Sequence, residues 1–142
     1  MNSVKIINFK IYIALITLSI ILIITGFYYS RVQADDSLRI NLAGRQRMLS
    51  QKIVKEILLY KIGEISPDKI INSLKVFRET QDALISGGHA PLDLELKVYR
   101  VLPATEDKES LSRLLAVKKM WVPVEKHAGE FISKKDDESL NI

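Results

Sequence analysis

No charged side chain occurs from Ile11 to Ser30, a run of 20 residues between Lys10 and Arg31. As a helix rising ~1.5 Å per residue, such a run is about 30 Å long, the thickness of a bilayer's hydrocarbon core. Lys5 and Lys10 flank one end, and Tyr28 and Tyr29 sit at the other, where an aromatic belt meets the membrane interface. Positive charge ahead of the span predicts a cytoplasmic N-terminus and export of everything after Arg31. The rival reading is a cleaved signal peptide, because Val32-Gln33-Ala34 resembles a small-residue cleavage site. Secretory apolar cores usually run only about 7–15 residues, so the uncleaved anchor is preferred. Both readings export residues 35–142. No later apolar run is long enough to span, so a single crossing is expected.

Beyond residue 30 the apolar positions recur at helical spacing. Arg31 to Ile62 holds no Pro and only one Gly, Gly44, so the membrane helix is expected to run on without a break. Gly63 is a stop signal. Ser66-Pro67-Asp68 is a start signal: a capping hydroxyl, Pro at the first helical position, and an acid in the first turn. The second helix carries Ile70, Ile71, Leu74, Phe77, Leu84 and Ile85, and ends at Gly87-Gly88. His89 to Thr105 is a connection bracketed by Pro91 and Pro103. Within it, Leu94, Leu96 and Val98 alternate with Glu95 and Lys97, which predicts a short extended piece. Thr105 or Asp107 caps a third helix with Leu111, Leu114, Leu115, Val117, Trp121, Val124 and Phe131 on its apolar face. Pro123 is expected to kink or split that helix. The predicted class is all-α: an N-terminal transmembrane helix continuing into an antiparallel helical bundle. The expected organisation is a cytoplasmic N-terminus (1–10), a transmembrane helix (11–30), an exported helical domain (31–134) and a flexible polar tail (135–142).

Composition narrows the chemistry. With no cysteine there is no disulfide framework, thiolate zinc site or iron–sulfur cluster. All 17 acidic residues and 19 of the 21 basic ones lie after position 30, so the exported part is nearly balanced. Its charges are scattered and no basic stripe interleaves with aromatics, which argues against nucleic acid. His89 and His127 stand at unrelated places, so no metal site is expected. No nucleophile elbow, phosphate-binding loop or paired-histidine metalloprotease motif occurs, so neither an enzyme nor a cofactor is expected. Trp121, Phe77 and Phe131 read as core.

The most informative segment is Ile40-Asn41-Leu42-Ala43-Gly44-Arg45-Gln46-Arg47-Met48-Leu49-Ser50-Gln51. At helical spacing, Leu42, Gln46, Leu49, Ile53 and Tyr60 form a stripe suited to the protein's own core. Ile40, Ala43, Arg47, Ser50, Val54 and Ile57 form a neighbouring seam of heptad spacing. Small residues at Ala43, Ser50 and adjacent Gly44 permit close approach of a second helix, and Arg47 interrupts the seam with a cation. An unpaired guanidinium between helices typically costs several kcal/mol. If the seam is a two-fold axis, Arg47 faces its own copy. A small oxyanion held by the planar donor forks then offsets the repulsion, nitrate or a carboxylate being suitable shapes. The plainer reading is that Arg47 snorkels into water with its stem over apolar surface. Arg45 is a solvated or inter-helix charge ahead of a ligand residue, Asn41 fits the seam or water equally, and Gln46 and Gln51 are surface or packing residues.

That segment closely resembles the signature of the sensor domain of type IV pilus methyl-accepting chemotaxis transducers (PilJ-like). It is also similar to the anion-binding box of nitrate/nitrite sensor histidine kinases. The likeness extends to the preceding span, the Phe77 to Gly88 helix end and the Leu114 to Trp121 stretch. It implies a periplasmic four-helix bundle, of which this chain supplies three helices, dimerising through the first exported helix. It also implies that Arg47 is the ligand arginine and Gly44 the box glycine that brings backbone near the anion. Asn41, Ala43, Ser50 and Arg45 are the further ligand or interface candidates. Arg45-Gln46 stand where nitrate sensors carry a Ser-Leu type of pair, which is the pilus-transducer style. The resemblance thus implies a homodimeric ligand-sensing module in a bacterial inner membrane, serving a downstream signalling module or partner receptor. The sequence ends after the third helix, so either a piece of a longer receptor or a stand-alone subunit is expected. The alternative function is a structural or interaction module that docks on a membrane receptor or pilus protein without a ligand.

Overall fold

The computed structural model describes residues 2–140, with side chains described from Phe9 to Lys135. Among these residues the order is α1 (Asn2–Lys61), α2 (Pro67–Ser86), β1 (Gly88–Pro91), β2 (Tyr99–Leu102) and α3 (Lys108–Leu140). The chain divides into two units, Met1–Leu38 and Arg39–Ile142, and α1 contributes to both.

In the first unit, α1 is apolar enough to cross a membrane, with a window of mean hydropathy 2.3 that buries nothing inside the protein. Three of its hydroxyls turn back onto the helix. Thr17, Ser19 and Thr25 donate to the carbonyls of Ile13, Leu15 and Ile21 at 2.9, 2.9 and 2.8 Å. Each bond leaves no polar hydrogen facing outward, which a hydrocarbon environment requires. Lys5 lies outside the described side chains.

The second unit is a helical bundle with one small hairpin. α1 ends as its glycine predicts: Gly63 takes φ +84°, its N–H donates to Tyr60 O, and Glu64 N–H reaches back to Leu59 O, both at 3.0 Å. This pair of bonds is a Schellman cap. The cation of Lys135 on α3 also binds the Tyr60 and Lys61 carbonyls and lies 4.4 Å from the Tyr60 ring centre. It thereby neutralises the negative end of α1. Pro67 opens α2 as expected, but the Ser66 hydroxyl makes no capping bond.

The connection folds differently from its alternation. The extended segments are β1 and β2, paired antiparallel from Gly88 opposite Leu102 to Pro91 opposite Tyr99. Leu94, Leu96 and Val98 lie in the loop between them, where Leu96 takes φ 57°. Leu94 and Leu96 pack on the core instead of pairing. Asp107 caps α3, its carboxylate accepting from Ser110 N–H at 2.7 Å. Hydrogen bonding from Ser110, its side chain first and this N–H second, holds the Asp107 pKa below the ordinary carboxylate value. Thr105 serves the other helix: its hydroxyl donates to Leu84 O at 2.6 Å and its N–H to Ile85 O at 3.3 Å, closing the C-terminus of α2. Gly87 makes that junction possible. It takes φ +75°, and a Cβ there would meet Ala104 N at 2.7 Å and Leu102 O at 3.0 Å. α3 passes through Pro123 as one helix and continues to Leu140, through most of the expected tail; Asn141 and Ile142 lie outside the described residues.

The core is built from Leu49, Ile53 and Tyr60 on α1, Ile70, Leu74, Val76 and Phe77 on α2, and Ala128 and Ile132 on α3. Trp121 stacks on Phe77 with ring centres 3.8 Å apart, and Phe131 meets Tyr60 edge to face at 6.0 Å.

Candidate functional site

The helical period sorts the box on α1 into two faces. Leu42, Gln46, Leu49 and Ile53 are buried, at 3, 7, 0 and 0% exposure. Gln46 donates to Phe77 O at 3.0 Å and leaves its Oε1 buried without a partner. It is a packing residue that ties α1 to α2.

Arg45 flanks that inner face. It donates to Thr80 Oγ1 at 3.2 Å and to Pro91 O, while its Nε is buried without a partner. The hairpin register explains the second bond. Leu92 N–H donates to Val98 O at 2.7 Å, so the Pro91–Tyr99 pair is a non-bonded one. Its Pro91 carbonyl therefore points away from β2 and towards Arg45. Burial lowers the Arg45 pKa, with Asp93 acting in the opposite sense. Both fixed bonds are structural.

The outer face is different. Ile40 and Val54 are 74% and 55% exposed, and Asn41, Ala43, Gly44 and Arg47 are exposed with them. Ser50 is half-buried and spends its hydroxyl on Arg47 O at 2.8 Å. The Arg47 guanidinium has no hydrogen-bond or ion-pair partner among the described residues. A Cβ at Gly44 would meet nothing within 4 Å. No contact within the protomer requires glycine there, although glycine costs a helix up to about 1 kcal/mol relative to alanine.

Sequence reasoning missed Arg39, the first residue of the bundle unit. Its fork donates to Thr105 Oγ1 at 2.8 Å, Pro103 O at 2.5 Å and Ala104 O at 2.7 Å, clamping α1 to the segment that enters α3. The available signal was its place three residues before Leu42, at the head of the inward stripe. It also missed Lys52, which pairs with buried Glu56 and donates to Ser73 Oγ at 2.7 Å.

A candidate membrane span leading into a helical bundle, with inward arginines bonded and an outward arginine unpaired, is the build of a membrane-receptor module. The chain belongs to the family of type IV pili methyl-accepting chemotaxis transducer N-terminal domains, whose sequence model matches residues 28–141. The match takes in the whole box and all three helices of the bundle. Domains of this family belong to membrane receptors and are signalling modules, not a catalytic family. No curated protein and no solved structure matches the chain.

Proposed function

We propose that this chain is a periplasmic ligand-sensing module anchored in a bacterial inner membrane. In this reading it pairs as a homodimer through the outer face of α1 and binds a small planar anion, nitrate-like or carboxylate, between two copies of Arg47. The observation that carries it is the contrast between the Arg47 side chain, exposed and unpaired among the described residues, and its small outward neighbours Ala43 and Gly44. Two Arg47 forks across a two-fold axis repel when empty and share an oxyanion when filled. The backbone at Gly44 has room for a partner or ligand to approach. Binding then biases the position of α1, and α1 is continuous with the candidate span, so an axial or rotational shift has a covalent route into the membrane. Exposed Ile40, Val54 and Leu58 on the same face equally serve the second reading, a docking module without a ligand.

Thermal melting of the full chain in detergent separates these readings. Nitrate, nitrite or a small carboxylate at a hundredfold excess over its Kd is expected to stabilise the dimer by about 2.7 kcal/mol. Arg47→Ala abolishes the gain and leaves the empty bundle folded. Arg47→Lys binds poorly for want of the planar fork, and Arg45→Ala retains the ligand response. Equal stabilisation of wild type and Arg47→Ala removes Arg47 from the site. No stabilisation by any of the three anions favours the docking module.

A further inference from the structure

Exposure selects the outward seam of α1, and it differs from the seam that the period alone suggests. Ser50 and Ile57, expected to follow Ala43, are half-buried; Ser50 spends its hydroxyl on Arg47 O, and Ile57 packs on the core. Ile40, Gly44, Arg47, Gln51, Val54 and Leu58 are all exposed, and they repeat at spacings of four, three, four, three and four. That is an uninterrupted heptad pattern, the seam along which a second helix packs. It puts Gly44 in the layer before Arg47 and Gln51 in the layer after it. Every Cα–Cβ bond of a helix tilts toward the N-terminus, so a long side chain covers the turn before its own. Helix geometry therefore directs Arg47 over Gly44, where a Cβ would meet nothing within 4 Å, and directs Gln51 over Arg47.

The Gln51 carboxamide has no hydrogen-bond partner among the described residues. From Arg39 to Lys61 the one acidic residue is Glu56, which is buried and paired with Lys52. No carboxylate of this stretch thus stands in the seam to hold the Arg47 fork. A carboxamide offers what a guanidinium lacks, an acceptor oxygen beside two N–H donors. Resting on the reading of Arg47 as the ligand residue of a homodimer, we propose that Gln51 is a further ligand residue of that site and sets its choice of anion. Its Oε1 accepts from the Arg47 guanidinium of its own helix and fixes the fork, and its Nε2 donates to the anion. The two forks engage two oxygens of a planar anion. The carboxamides meet the oxygen left over, which nitrate possesses and acetate replaces with a methyl group. A site that donates to an atom rejects the analogue lacking it, because the donor is then left unpaired. Gln51 thereby favours trigonal oxoanions with three acceptor oxygens over simple carboxylates.

The test uses the full chain in detergent. Calorimetric titration is expected to show nitrate binding about tenfold more tightly than acetate. Gln51→Leu keeps the heptad apolar, so the dimer persists by light scattering, while nitrate affinity falls about tenfold and the preference over acetate disappears. Gln51→Glu tethers a carboxylate to the same fork and should abolish nitrate binding with the dimer mass unchanged. Wild-type nitrate affinity and preference in Gln51→Leu overturns the role of Gln51 and leaves the Arg47 reading intact. Arg47→Ala binding nitrate as wild type does, or no nitrate binding by wild type, overturns that reading and the proposal with it. Single cysteines, in a chain that has none, check the position without a ligand. Gln51→Cys should cross-link between protomers on oxidation about tenfold faster than Ser50→Cys, since bridged Cα atoms must lie within about 7 Å. Faster linking at Ser50→Cys puts Gln51 off the axis and overturns the proposal alone. Linking at neither overturns the homodimer, and the proposal with it.

Discussion

Arg45 and Arg47 stand two residues apart on α1, about 200° around the helix from one another. The first is held by Thr80 and the Pro91 carbonyl, and its partly buried guanidinium has its pKa lowered by that burial. The second is exposed, and its guanidinium has no partner among the described residues. The same side chain thus does two jobs, decided by a half-turn of helix. On the inner face an arginine completes the hydrogen bonding of a carbonyl that the hairpin leaves open. On the outer face it keeps all five donors available to something outside. Composition counts these residues alike; only the helical period, together with what packs opposite, separates them.

The strongest way to break this comparison lies in the apolar members of the two faces. Leu49→Ala removes a fully buried side chain and is expected to cost about 2.7–5 kcal/mol in chemical denaturation, whereas Val54→Ala should cost less than about 0.5 kcal/mol in the monomer. Comparable losses would mean that the outer face is already covered. Arg45→Ala should cost about 1–3 kcal/mol, since it strands the Pro91 carbonyl, while Arg47→Ala should leave monomer stability within about 0.5 kcal/mol. Equal effects would erase the distinction between the two arginines. The smallest effect is the most discriminating. Gly44→Ala places a methyl in open space on a helix, so it should stabilise the isolated protomer by up to about 1 kcal/mol. If the outer face is a close helix seam, the same methyl should weaken dimerisation by analytical ultracentrifugation. A gain in both measurements would leave the seam without support.

The helices were legible because their punctuation is local. Gly63, Pro67 and Gly87 each act through their own backbone preferences, and the stripe Leu42–Gln46–Leu49–Ile53 follows from the period alone. The hairpin was not legible. Leu94, Leu96 and Val98 alternate like a strand, but Leu94 and Leu96 pack on the core within a loop, while Gly88–Pro91 pairs with Tyr99–Leu102 despite an unpromising Gly and Pro. Thr105 carried two reasonable capping roles, and the partner that decided between them, the end of α2, lies about 20 residues away in sequence. Within the box, the period separated Arg47 from Gln46. It could not reveal that Arg45 had a carbonyl waiting for it, because that carbonyl depends on the register of strands the pattern did not predict.

Gly87 has a consequence that reaches well beyond one turn. The backbone of Leu102–Ala104 rests directly on its hydrogen, where any side chain would collide. The two carbonyls that Arg39 grips, Pro103 and Ala104, belong to that same stretch of backbone. Adding one carbon atom at the end of α2 would lift the strap and loosen its fastening to α1, 48 residues earlier in the chain. Three segments distant in sequence therefore share one mechanical joint. The residue that sets its clearance is the one with no side chain to be noticed.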